Sequence, residues 1–213
     1  MNAQWLNATP LLPHEAMQYL AVHLGWGLVL AAFLLWAARR LSQRSGGVVA
    51  VLALLAAAWC FVPGPVSPSY WLGLAFQAPS LVTDLLCIWY LQNFLRGRPA
   101  NREPTPGLLA ISAAGALLGW LLLLDTLALL PWQVYAIGFS PAATAALSFV
   151  ALLPWMLHGR SVLVDSRTWI APLAIGIFVL LRWPSGNVWD AVLDPWLWGA
   201  LHIKVIRARM LRR

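Results

Sequence analysis

Charge is what this sequence has least of. Only 10% of its 213 residues are Asp, Glu, Lys or Arg, where a soluble domain carries roughly a quarter. That excludes an ordinary wetted surface, and no stretch is polar enough to form a separate soluble domain. Acidic residues are the scarcer sign, 7 against 14 basic ones, and Lys204 is the single lysine. Cysteine is limited to Cys60 and Cys87. One falls at the outer end of an apolar segment and the other well inside the next, and a disulfide needs Cα atoms within about 7 Å, so none is expected. No C-x-x-C spacing offers a metal site. No basic residue precedes Arg39, so the charged start of a cleaved signal peptide is missing and the first apolar stretch reads as a retained span. The phosphate-binding G-x-x-x-x-G-K-S/T loop, H-E-x-x-H, G-x-S-x-G and a dinucleotide fingerprint are also absent.

What is present is apolar: 61% of residues are hydrophobic and the mean hydropathy is +0.74. Bilayer hydrocarbon is the solvent that suits such a chain. Apolar runs at about 16–38, 48–61, 71–95, 107–130, 141–157, 169–181 and 188–206 predict an all-α bundle of seven transmembrane helices in a single membrane domain. The second and sixth are short against the ~20 residues that cross a bilayer core. The net charge of +7 does not point to nucleic acid, because the basic residues fall in short clusters between spans, as topology-setting loop charges do. With the N-terminus outside, thirteen basic residues lie on the cytoplasmic side and only Arg182 lies outside. Arg-rich, Ala- and Leu-rich usage fits a bacterial inner membrane protein.

The outer hairpins share a pattern. Pro63 and Pro79, Pro131 and Pro141, and Pro184 and Pro195 flank the three turns, with Trp71, Trp132, Trp183 and Trp189 nearby. Two readings stay open: three related helical hairpins behind an extra first helix, or the general preference of Pro and Trp for membrane interfaces. Of the 14 Trp, Trp26, Trp59, Trp89 and Trp120 fall deeper and are expected to pack between helices.

Two carboxylates stand where hydropathy is strongest, Asp84 and Asp125. An ionisable group in hydrocarbon costs ~3 kcal/mol or more, so each is a candidate functional residue. Asp84 is five residues inward of Pro79 and Asp125 six inward of Pro131, which places both roughly 8–9 Å inside the outer boundary at ~1.5 Å per residue. Together they could share a proton or hold a cation; the alternative is a packing role through Thr83 and Thr126. Glu15, His23, Gln77, Arg182, Asp190 and Asp194 fall on the outer side as well. They read either as a vestibule leading to the aspartates or as an ion pair in which Asp190 or Asp194 neutralises Arg182.

No cofactor is expected. Haem between His158 and His202 would require the fifth and seventh spans to touch, and a retinal Schiff base on Lys204 is opposed by its position three residues from Arg207, where it snorkels to the surface. The expected partners are the lipid bilayer and other membrane subunits or further copies of the chain. The leading expectation for function is transport or permeation of a small solute or proton around Asp84 and Asp125. A non-catalytic subunit of a membrane complex and an intramembrane enzyme are the alternatives.

Overall fold

The computed structural model describes residues 12–41, 46–97, 106–158 and 166–210, and every regular element among them is helical. Ala and Leu, which lose little side-chain freedom in a helix, fill these elements. In chain order they are α1 (Glu15–Leu41), α2 (Gly46–Trp59), α3 (Pro68–Phe76), α4 (Leu81–Leu95), α5 (Pro106–Thr126), α6 (Val134–Ile137), α7 (Pro141–His158), α8 (Ile170–Leu181), α9 (Val188–Val192) and α10 (Pro195–Met210). One 3-10 turn, Ser166–Trp169, leads into α8.

The all-helical expectation holds, and the lengths differ from seven full spans. Two helical stretches, Glu15–Arg40 and Gly107–Thr126, are long and apolar enough to cross a membrane, while the apolar parts of α2, α4, α7 and α8 are shorter. The stretch 71–95 is not one helix. It breaks between Phe76 and Leu81, where Gln77 adopts φ 61° and Pro79 follows. The stretch 188–206 breaks at Leu193 and Asp194, before Pro195. Proline disfavours helical geometry in the residue before it and cannot donate its own backbone bond, so both interruptions fall where the chain predicts a boundary. The segment expected to reach residue 130 ends at Thr126.

Each of the three proline-flanked hairpins carries a short helix, and each returning helix starts from a capping side chain. Ser80 Oγ accepts from Thr83 N before α4, Ser140 Oγ accepts from Ala143 N before α7, and Asp194 Oδ1 accepts from Leu197 N before α10. Such caps satisfy backbone donors that the first helical turn leaves open.

The packing is inverted relative to a protein that folds in water. Large apolar side chains point outward, Leu180 at 82% exposure and Trp132 at 69% among them, while Ser67, Ser80, Ser112, Asn187 and Asp194 are buried. The buried apolar residues are mostly small, with Ala31 and Ala53 between α1 and α2, and Ala174 and Ala191 beside Leu81 and Phe178. Small residues let helix backbones approach where apolar surroundings supply no hydrophobic drive. Trp26 packs inside as expected, but Trp59 and Trp120 are about half exposed.

Charge separates along the bundle. Arg39 and Arg40 end α1, Arg96 follows α4, Arg167 precedes α8, and Arg207 and Arg209 lie in the last turn of α10. The Arg39 guanidinium stands 4.3 Å from the Phe94 ring centre, which brings the C-terminal ends of α1 and α4 together. The aspartates among the described residues occupy the other end, in the first turn of α4, the last turn of α5, and at or before the starts of α9 and α10, and Arg182 at the end of α8 joins them there.

On the α5–α10 contact, Gly119 faces the Trp198 indole so closely that an added Cβ would overlap the ring, while Gly176 of α8 faces open space. Gly119→Ala is expected to lower the thermal unfolding midpoint in detergent, since overpacking costs about 1–3 kcal/mol. Gly176→Ala should leave it unchanged or slightly raised. Equal midpoints for the two variants would show that the indole contact does not set the α5–α10 spacing.

Candidate functional site

The two helix interruptions meet, and Asp194 joins them. Its Oδ2 accepts from Ser80 N at 3.0 Å, from Ser80 Oγ at 2.7 Å and from Thr83 Oγ1, while Oδ1 accepts from Leu197 N at 2.8 Å. One carboxylate thus caps its own helix and takes the donors at the start of a helix more than a hundred residues earlier. Asp194 is only 8% exposed, so these bonds offset the cost of burying it.

Asp84 lies one turn into α4, beside this junction. Its Oδ1 is buried and has no hydrogen-bond partner, and Asp194 is within its electrostatic reach. Gly25 of α1 packs against it: a Cβ there would come 3.1 Å from Oδ1 and 2.9 Å from Pro79 Cδ. Asp84 and Asp125 were expected to form the polar centre together, and the structure gives them different neighbours. Asp125 Oδ2 accepts from Tyr135 N at 2.7 Å, across the turn that links α5 to α6.

Tyr135 ties the second outer hairpin to the third. Its backbone N–H serves Asp125, its hydroxyl donates to Asp190 Oδ2 at 2.7 Å, and its carbonyl accepts from Asn187 Nδ2 at 3.0 Å. Burial first, and then the Asp190 carboxylate, hold the Tyr135 hydroxyl above the usual phenol range. Asp190 Oδ2 also accepts from Ser185 Oγ. Trp189 Nε1 donates to Val134 O at 2.9 Å, and Val188 N to Gly138 O at 3.0 Å. Gly138 is required there, because a Cβ would overlap Asn187 and Trp189.

Between these groups opens a cavity of about 980 Å³, lined by parts of α1, α3, α5, α6 and the segments around α9. Three carboxylates reach it, Asp125, Asp190 and Asp194, with Gln18, Gln77 and Tyr135 as further polar groups, and no lysine, arginine or histidine is among its lining residues. Gln77 is also a fixed point of the wall: its carbonyl accepts from Trp26 Nε1 at 2.8 Å while its backbone holds a positive φ, a conformation that persists only where surroundings impose it.

The remaining expected site residues lie elsewhere. Arg182 ends α8 in a left-handed conformation with its guanidinium 5.3 Å from the Phe178 ring centre, and both carboxylates expected to pair with it are held by other donors. Glu15 is exposed in the first turn of α1. His23 is buried, stacked on Tyr19 and bonded to the Tyr19 carbonyl. Neither lines the cavity. His202 Nε2 accepts from Trp120 Nε1 at 2.9 Å, which leaves Nδ1 to donate to Trp198 O at 2.8 Å. The His158 side chain, Trp5 and Arg160 lie outside the described residues. No group of three or more His, Cys, Asp or Glu side chains among the described residues could hold a metal ion.

Tyr135, Ser80 and Asn187 were not singled out from sequence, and Thr83, expected as a packing partner for Asp84, donates to Asp194. For Ser80 a signal exists: Pro79-Ser80 ahead of an apolar run, with Thr83 three residues on, reads as a helix start, as Asp194-Pro195 does. The chain matches no protein-family model, no curated protein and no solved structure.

Asp194→Ala would strand four donors at a buried junction and is expected to cost about 3–5 kcal/mol, seen as lost folded yield and a lowered unfolding midpoint. Ser80→Ala should cost about 1–2 kcal/mol, as a lost cap does. Arg182→Ala should be close to neutral. An Arg182→Ala variant as unstable as Asp194→Ala would show that Arg182, and not the Ser80–Thr83 donors, balances the outer carboxylates.

Proposed function

We propose that this chain is an integral membrane protein that binds a small cationic solute in the acidic cavity and passes it across the bilayer. The observation that carries the reading is the cavity itself: it lies where two interrupted helices meet, with three carboxylates and no basic side chain on its wall. Interrupted helices whose ends face a polar cavity are how many membrane transporters build a solute site without exposing backbone to lipid. Carboxylates facing a low-dielectric cavity raise the local concentration of cations and exclude anions.

The membrane part of the proposal draws on the outward-facing leucines and tryptophans, the two helices of spanning length, and the gathering of every described Arg but Arg182 at the end opposite the described aspartates. In this reading α1, α2, α4, α5, α7, α8 and α10 cross the bilayer, with α3, α6 and α9 as short outer helices. The excess of Arg at the opposite end makes that end cytoplasmic, by the positive-inside rule. The carboxylate cavity then opens outward, to the periplasm of a bacterial inner membrane. The cavity volume, about 980 Å³, is at the upper end of ordinary ligand pockets and has room for a small cation with part of its hydration shell.

Two measurements check this. A reporter fused after Arg213 should be cytoplasmic and one fused before Met1 periplasmic; both on one side would break the seven-crossing arrangement. In purified protein in nanodiscs, small quaternary ammonium ions should bind and carboxylates of matching size should not. Asp125→Asn and Asp190→Asn should each weaken cation binding about tenfold, the equivalent of ~1.4 kcal/mol. Equal binding of cations and anions, or unchanged affinity in the double variant, would overturn the cavity assignment.

A further inference from the structure

Asp84 has a buried carboxyl oxygen that the cavity reading leaves without a role. It does not line the cavity, yet it directly follows Thr83, whose hydroxyl donates to Asp194, which does. Their surroundings are unequal. Asp194 accepts four hydrogen bonds, whereas Oδ1 of Asp84 is buried and receives none. Two carboxylates this close in a low-dielectric site do not both stay ionised unless a cation lies with them, and the proton goes to the one that is poorer in donors. The other groups around Asp84 do not alter that ranking. From α1 the facing residue is Gly25, and the α1 titratable residue two positions earlier, His23, is engaged with Tyr19. α8, packed on α4, carries no titratable side chain. From α9, Asp190 is held by Tyr135 and Ser185, and on α4 itself Cys87 is the next titratable group.

We propose that Asp84 carries a proton while the cavity is empty and releases it when a cation enters, so that solute and proton exchange at one site. The inference rests on the cavity reading and deepens it by naming the coupling ion. The step balances simply: the Asp84 O–H bond breaks, its electron pair stays on the carboxylate, and the proton passes to water in the cavity. The arriving positive charge replaces the departing one. Asp194 is the link, since it touches the cavity on one side and acts on Asp84 on the other. Coupling of this kind is reciprocal: a cation favours proton release, and proton removal favours the cation.

The test uses the full-length protein in nanodiscs, with tetramethylammonium chloride as probe because it has no proton of its own to give. Infrared spectroscopy of the cation-free wild type should show the carbonyl stretch of a protonated carboxyl, sensitive to D2O and missing in Asp84→Asn. In weak buffer with a pH dye, adding the probe should release a proton from the wild type. Asp84→Asn should still bind the probe and release none. Raising the pH by one unit should tighten wild-type binding up to about tenfold and leave Asp84→Asn unchanged, the slope expected for one linked proton. A carboxyl band that survives Asp84→Asn, or equal proton release in both proteins, would overturn the proposal. The two readings fail differently: a wild type that shows the Asp84 band but binds no cation brings down the cavity reading, and with it the exchange, while one that binds cation without the band brings down the proton at Asp84.

Discussion

The carboxylate of Asp194 is the interaction on which the outer half of the bundle depends. A helix that stops inside a low-dielectric medium leaves several backbone donors open, each a cost of the order of 1–3 kcal/mol if left unmet. Here two helices start side by side, and one side chain serves both: Leu197 N–H from its own helix, and Ser80 and Thr83 from the other. The arrangement makes a break in α3–α4 and a break in α9–α10 compatible with burial. It also fixes a negative charge at the bottom of the cavity, so the device that holds the fold together sets the electrostatics of the site.

Around that junction the outer hairpins are locked at the level of backbone. Tyr135 contributes its N–H, its carbonyl and its hydroxyl to three different partners, and the indole of Trp189 reaches a carbonyl of α6. These bonds hold the cavity wall on the α6 and α9 side. On the opposite side the wall is α1 and α3, where Trp26 holds the Gln77 carbonyl. The polar groups are therefore spent largely on one another, and the cavity keeps its negative character because none of its partners is cationic.

Much of this was readable before the structure. Sparse charge and long apolar runs establish an all-helical chain, and Pro79 and Pro195 mark the places where it breaks. Asp84, Asp125, Asp190, Asp194 and Gln77 stand out as polar residues in apolar surroundings, and four of these five line the cavity. What the sequence does not show is pairing across distance. Asp84 and Asp125 share a depth by residue counting, but depth says nothing of the rotation of each helix, and Asp84 faces Gly25 and Asp194 instead. Arg182 and Asp190 are near neighbours along the chain, and nearness there was a poor guide: Tyr135, 55 residues away, holds Asp190. Tyr135 itself escaped notice because a tyrosine in an outer loop is ordinary at a membrane interface.

For a chain placed in a bilayer as proposed, the shortness of the helices has a consequence for the surrounding lipid. α2, α4, α8 and α10 contain 14, 15, 12 and 16 residues, or about 18–24 Å of helix at ~1.5 Å per residue. A bilayer core is ~30 Å thick, and a protein whose apolar belt is shorter is matched by local thinning or by sinking of its interfacial residues. α1, with 27 residues, has length to spare and must tilt or project. In the proposed membrane placement, the bundle would present a different hydrophobic thickness on its different flanks, and the path between the two aqueous phases would be shortened where the bilayer thins.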